Sequence, residues 1–211
     1  LRDLDRHNPS AGKPKDITLA QETGKSAEVT PGSTGDLFGF VANAPQEKIE
    51  RQYSCVTTQA DFELWLNKIN QAELTCIDTE TTGLDALRVD LVGISLATEP
   101  GVACYIPLSH TTNEDQLDKS YVLEKLKPWL ESESHKKLGQ NLKYDIHIFS
   151  NSGINLQGVE HDTLLQSYVL ESHRSHDMDS LALRHLGEKT ISYEEVCGKG
   201  VHQITFDQVN L

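Results

Sequence analysis

Between residues 74 and 108 three apolar runs of strand length follow one another with connections too short for a crossover, and nothing else constrains the fold of this chain as strongly. The runs are Leu74-Thr75-Cys76-Ile77, residues 89–97 (Val-Asp-Leu-Val-Gly-Ile-Ser-Leu-Ala) and residues 102–108 (Val-Ala-Cys-Tyr-Ile-Pro-Leu). A turn at Glu99-Pro100-Gly101 joins the last two. Parallel neighbours need a crossover of about a dozen residues, so these runs pair antiparallel and the sheet starts as a meander. A helix precedes them: Thr58-x-x-Asp61 resembles a capping box with Asp in place of Glu, and Phe62, Trp65, Leu66 and Ile69 share one helical face. Beyond residue 117 the period changes. Val122, Leu123, Leu126, Trp129 and Leu130 recur at helical spacing, with Pro128 bending the last turn. Residues 136–140 form a weak strand pattern, followed by a helix from about Asn141 to Gly153 and by helices over 162–172 and about 177–186, the latter stopped by Gly187. This order predicts an α/β fold, a mixed sheet flanked by helices.

Residues 1–50 have Pro9, Pro14, Pro31 and Pro45 spaced among polar residues and read as a linker or mobile arm, with only Leu37-Phe38-Gly39-Phe40-Val41 able to dock. The folded domain is expected over 51–211. Cys55, Cys76, Cys104 and Cys197 form no C-x-x-C pair, as expected of reduced thiols in a cytoplasmic protein. No apolar stretch reaches the roughly 18–20 residues of a membrane span, and residues 1–30 lack a signal-peptide centre. The chain starts at Leu1 and its one methionine is Met178, so it reads as a piece of a longer polypeptide. With 32 acidic against 19 basic residues the net charge is −13, which disfavours broad contact with nucleic-acid phosphates unless attraction is local or metal-mediated.

The chemistry concentrates at Ile77-Asp78-Thr79-Glu80-Thr81-Thr82-Gly83-Leu84. Strand side chains alternate faces, so Asp78 and Glu80 point the same way and can share one or two cations. In Asn141-Leu142-Lys143-Tyr144-Asp145, the spacing puts Asn141 and Asp145 on one helical face and Leu142, Ile146 and Phe149 on the core face. Asp78, Glu80 and Asp145 make an oxygen-only set, suited to Mg2+ or Mn2+ rather than zinc. Two such ions about 3.5–4 Å apart can hydrolyse a phosphodiester. Elsewhere, His173-x-x-His176 with Asp177 is read as a solvated surface cluster, and Gly198-Lys199-Gly200 as a turn.

At these residues the chain resembles a known family. Asp78-x-Glu80 with Leu84, and Gln140-Asn141-x-x-Tyr144-Asp145, are similar to the first two motifs of the 3′–5′ exonucleases with four acidic ligands, on a ribonuclease-H-like fold. Residues 99–103, 139–145, 176–182 and 189–195 resemble the proofreading domains of bacterial family-A DNA polymerases, the DNA polymerase I type. The resemblance implies that Asp78 bridges two metals, that Glu80 serves the ion activating water, and that Asp145 holds the second. It implies that Leu84 and Tyr193 wedge against frayed terminal bases, that Gln140, Asn141 and Tyr144 contact the substrate strand, and that Met178 lines its channel. The implied partners are single-stranded or frayed 3′ ends of DNA, and polymerase and 5′-nuclease domains of the same parent polypeptide. The family's third motif, Tyr-x-x-x-Asp, is not found after Thr205-Phe206-Asp207-Gln208, so weak metal binding and little or no nuclease activity are expected of these 211 residues. Two rival readings are a stand-alone exoribonuclease of the same superfamily and a non-catalytic structural domain.

Overall fold

The structure, a computed structural model, describes residues 50–112 and 115–211. The expected linker, apart from Glu50, lies outside the described residues. Six strands build one mixed sheet: β1 (Gln52–Cys55), β2 (Leu74–Thr81), β3 (Leu91–Glu99), β4 (Val102–Pro107), β5 (Lys136–Gly139) and β6 (Val159–Asp162). Their spatial order is β1-β4-β3-β2-β5-β6. The expected meander is β2-β3-β4, and β1, β5 and β6 are added to its two sides by parallel pairing.

The helices follow from capping and apolar spacing. In α1 (Gln59–Gln71) Thr58 is the N-cap, accepting from the Asp61 N–H, and Phe62, Trp65 and Ile69 are buried. In α2 (Lys119–Leu130) Asp118 is the N-cap, and Pro128 lies inside the helix. Next come α3 (Lys143–Asn151), α4 (Thr163–Leu170), α5 (Met178–Leu181) continued by a π-helical turn over Ala182–Leu186, and α6 (Tyr193–Cys197). Gly187 ends the π turn in the left-handed region at φ 66°, the stop expected there.

Phe62, Trp65 and Ile69 share one buried cluster with Val122, Leu126, Trp129 and Leu130 of α2, Ile148 and Phe149 of α3, and Ile77, Ile94, Leu96 and Ile106 of the sheet. Cross-strand partners point the same way, so the rows Ile77-Leu96-Cys104 and Thr79-Ile94-Ile106 face this core. By alternation, the rows through Asp78 and Glu80 face away from it.

Two expectations need correction. Ile146 is 37% exposed, and Ile148 takes the core position beside Phe149. The cause lies at Asn141, which precedes α3 with φ 62°, so the helical count starts two residues later than the sequence pattern suggested. His176 is buried, bonded to Ser167 Oγ through Nδ1 at 2.7 Å and stacked on Tyr168 with ring centroids 3.7 Å apart, and is therefore no surface histidine.

Candidate active site

The carboxylates gather where β2 outruns β5. Pairing between these strands stops at Cys76 with Leu138, so no strand takes the Thr79 N–H. Asp145, on the first turn of α3, fills that place: its Oδ1 accepts from Thr79 N at 3.0 Å and from Thr79 Oγ1 at 2.6 Å. Only 2% of Asp145 is exposed. Gly139, the last residue of β5, permits this approach, because a Cβ there would lie 2.8 Å from the Ile77 carbonyl oxygen. Asp78 and Glu80 stand half-buried on the outer face of β2.

Burial raises all three carboxyl pKa values. For Asp78 the Thr79 backbone partly opposes the rise. Glu80 is pushed up to about 7 by burial, then by the charges of Asp78 and Asp145. Asp145 also reaches about 7 by burial, opposed by the Thr79 hydroxyl and reinforced by Asp78. None of the ion pairs among the described residues reaches these three side chains. Desolvated anions that repel one another and have no cationic neighbour call for an external cation, and all-oxygen donors select a hard divalent ion. The donor set therefore fits Mg2+ or Mn2+. As the side chains stand, no three His, Cys, Asp or Glu groups among the described residues are arranged to hold one ion. Asp145 is turned to Thr79, whose side chain is on the core-facing row, while Asp78 and Glu80 project from the opposite face.

The substrate residues expected from the sequence are placed differently from one another. Leu84 follows β2 and is 95% exposed, and Met178 at the start of α5 is 56% exposed. Tyr193, half-exposed at the start of α6, is near enough to Glu80 and Asp207 for their charges to raise its pKa; its hydrogen bond with Cys197 is the largest cause, and the value is about 12. Tyr144 Oη lies 2.7 Å from the Gly83 carbonyl and 2.6 Å from Thr81 Oγ1, so it braces the loop carrying Leu84. The Gln140 side chain donates to the His176 carbonyl at 2.8 Å and accepts from Thr163 Oγ1. Asn141 Oδ1 is buried without a hydrogen-bond partner.

Two neighbours of the site were not legible in the sequence. Tyr105, in the same cross-strand row as Asp78 and Ser95, extends over Gly93, the partner of Glu80. A Cβ on Gly93 would lie 2.1 Å from the Tyr105 hydroxyl. His110 Nδ1 is 3.0 Å from the Val209 carbonyl, which can only accept, so Nδ1 carries the proton and Nε2 accepts from Tyr105 Oη at 2.6 Å. Only the strand register shows this, because Tyr105 and His110 belong to no motif. The second neighbour is Asp162, whose one sequence signal is its place before a helical run.

Known proteins share this architecture. Pol1 of M. smegmatis, solved with DNA primer-template and dNTP, superposes with TM-score 0.53 and 24% identity over 65% of this chain and 23% of that one. Trypanosoma brucei RNase D, solved with RNA U12, gives TM-score 0.54 and 14% identity over 66% of this chain and 48% of that one. At such identities the likeness establishes the fold alone, which is the ribonuclease-H-like exonuclease fold. The family model described as 3′–5′ exonuclease matches residues 53–210, and the chain belongs to that family. DNA polymerase I of Pseudomonas aeruginosa is 48% identical over 165 residues, which cover 76% of this chain and 18% of the relative. The chain thus spans under a fifth of that relative's length.

Proposed function

We propose that this chain is a proofreading domain that removes nucleotides hydrolytically from the 3′ end of DNA. The observation that carries this reading is the carboxylate trio at the ends of β2 and α3, unneutralised by any lysine or arginine among the described residues, in a chain of the 3′–5′ exonuclease family. Asp78, Glu80 and Asp145 would hold divalent Mg2+ or Mn2+. When bound, such ions neutralise phosphate charge and acidify a water.

The other residues serve binding and orientation. Leu84 and Tyr193 would take up the unstacked terminal bases, a contact worth about 1–3 kcal/mol per base for an aromatic and tolerant of sequence. Tyr144 would act by fixing Gly83, and through it the direction of Leu84. Gln140, tied to His176, and Asn141 would set the wall along which the strand runs, with Met178 further along it. The proposed substrates are single-stranded or frayed 3′ ends, and the proposed partners are polymerase and 5′-nuclease domains of one polypeptide.

The test is Mn2+ binding together with digestion of 5′-labelled single-stranded DNA. Asp78→Ala and Glu80→Ala should each weaken Mn2+ binding of the 211 residues, which are expected to cleave little or not at all. In a polypeptide extended through the third motif they should reduce stepwise shortening from the 3′ end at least about 100-fold, the scale of losing a group that stabilises the transition state. A double Asp78→Ala, Glu80→Ala chain that binds and cleaves as before would sink the proposal.

A further inference from the structure

Asp162 is the last residue of β6 and pairs with Gly139, the last residue of β5. Its carboxylate accepts four backbone N–H groups from two directions. Oδ1 takes Asn141 N at 3.1 Å, Leu164 N at 3.0 Å and Leu165 N at 3.3 Å, and Oδ2 takes Leu142 N at 2.9 Å. Leu164 and Leu165 open α4, for which Asp162 is the ordinary N-cap. Asn141 and Leu142 lead into α3, whose own N-cap position is Leu142, a residue with no side chain that can cap. Asp162 therefore caps α3 from another element, and it favours both helix starts as an anion near their N-termini.

What hangs on that second cap is the whole Gln140 to Asp145 segment. Asn141 has φ 62°, in the left-handed region that few non-glycine residues adopt and that asparagine tolerates best, so its neighbours' bonds add to a local preference. The Asp162 carboxylate binds the N–H groups on either side of that residue's Cα. Thr163, the next residue, lies within hydrogen-bond distance of the Gly139 carbonyl at 3.2 Å and of Gln140 Oε1. Asp145 stands three residues beyond Leu142, so the direction of the first turn of α3 decides whether its carboxylate meets Thr79.

We infer that Asp162 is a positioning residue for the exonuclease reaction, acting through Asn141 and Leu142 to set Asp145 against β2. The inference rests on the proposed function above. A carboxylate supplies the second acceptor oxygen that the Leu142 N–H uses, because Oδ1 already takes three N–H groups. Asparagine keeps Oδ1, with three of the four bonds, and loses the one to Leu142.

Mn2+ titration of the 211-residue chain, with kcat and KM on a single-stranded oligonucleotide, tests this at a temperature where circular dichroism shows every variant folded. Partners in the shell behind metal ligands typically contribute about 10–100-fold in metal affinity or activity. Asp162→Ala should weaken Mn2+ binding by that factor and lower kcat, with KM changed less, and Asp162→Asn should recover only part of the loss, remaining at least about threefold weaker than the unsubstituted chain. Asp118→Ala, which removes the N-cap of α2, is the control. It should lower the melting temperature and leave Mn2+ affinity unchanged. An Asp162→Ala chain that melts earlier but binds Mn2+ within twofold of the unsubstituted chain would overturn the inference alone. Failure of the unsubstituted chain to bind Mn2+ at all would overturn the nuclease reading, and this inference with it; little or no cleavage is the expectation for these 211 residues, and the Mn2+ affinities of the variants then decide. Should Asp162→Ala not fold, Asp162→Asn decides: at least threefold weaker Mn2+ binding supports the inference, and no change overturns it.

Discussion

Thr79 separates the two strand carboxylates in sequence and serves the third in space. Its N–H and hydroxyl both bond Asp145 Oδ1, and the hydroxyl contact is the shorter at 2.6 Å. A hydrogen bond to a charged acceptor contributes about 1.5–3 kcal/mol, against about 0.5–1.5 for a neutral one. Asp145 titrates near 7 in the fold, so the strength of this bond depends on pH. Thr79→Val keeps the shape and removes the donor. In chelator it should destabilise the domain by about 1.5–3 kcal/mol at pH 8.5 and by roughly half as much at pH 5.5. Urea unfolding at the two pH values measures this, and equal losses at both would show that the hydroxyl does not favour the ionised carboxylate.

At the scale of elements, α2 ends on an unusual cap. Lys137 of β5 is fully buried; its Nζ donates to the Trp129 carbonyl at 2.7 Å and the Ser132 carbonyl at 2.8 Å, and sits 4.7 Å from the centre of the Trp129 ring. Burial, then Lys136, lowers its pKa to about 8. Lys137→Met would leave those carbonyls without their donor inside the fold, at a cost of about 1–3 kcal/mol. Thermal melting should show the loss, and an unchanged midpoint would mean that the ammonium is not holding the helix end. The same element shows why parts of the fold were hard to read. Lys136-Lys137-Leu138-Gly139 has too little apolar character for a confident strand pattern, since its buried lysine is satisfied by carbonyls that sequence cannot place. β1 is exposed throughout and β6 is Val-Glu-His-Asp, so neither alternates visibly, and both take their structure from parallel partners far away in sequence. The meander and α1 were legible because their apolar periods and turn residues are local. Asp78 and Glu80 were legible because strand alternation settles their common face. The start of α3 was not, because Asn141 leaves the helical region through bonds to Asp162, twenty-one residues later.

For the whole molecule, the site and the net charge of −13 act in the same direction on stability. Glu80 and Asp145 titrate near 7 in the fold, against ordinary values of 4.5 and 3.8. Between those limits the folded chain binds more protons than the unfolded chain, so without metal its stability falls as pH rises from about 4 toward 7. The general repulsion of an acidic protein has the same sign, and the variant Glu80→Gln, Asp145→Asn separates the two. In chelator the double variant should lose less stability than the unsubstituted chain between pH 5 and pH 8. Divalent ions at the proposed site would reverse the trend, because they would bind the ionised ligands of the folded state: at a concentration about 100 times Kd the gain would be about 2.7 kcal/mol. Mn2+ should therefore raise the melting temperature more at pH 8 than at pH 5, and should leave the double variant nearly unchanged. Melting curves at the two pH values, with and without Mn2+, measure both effects. An equal rise in the double variant would place the ion elsewhere on the acidic surface and remove the metal from the site at Asp78, Glu80 and Asp145.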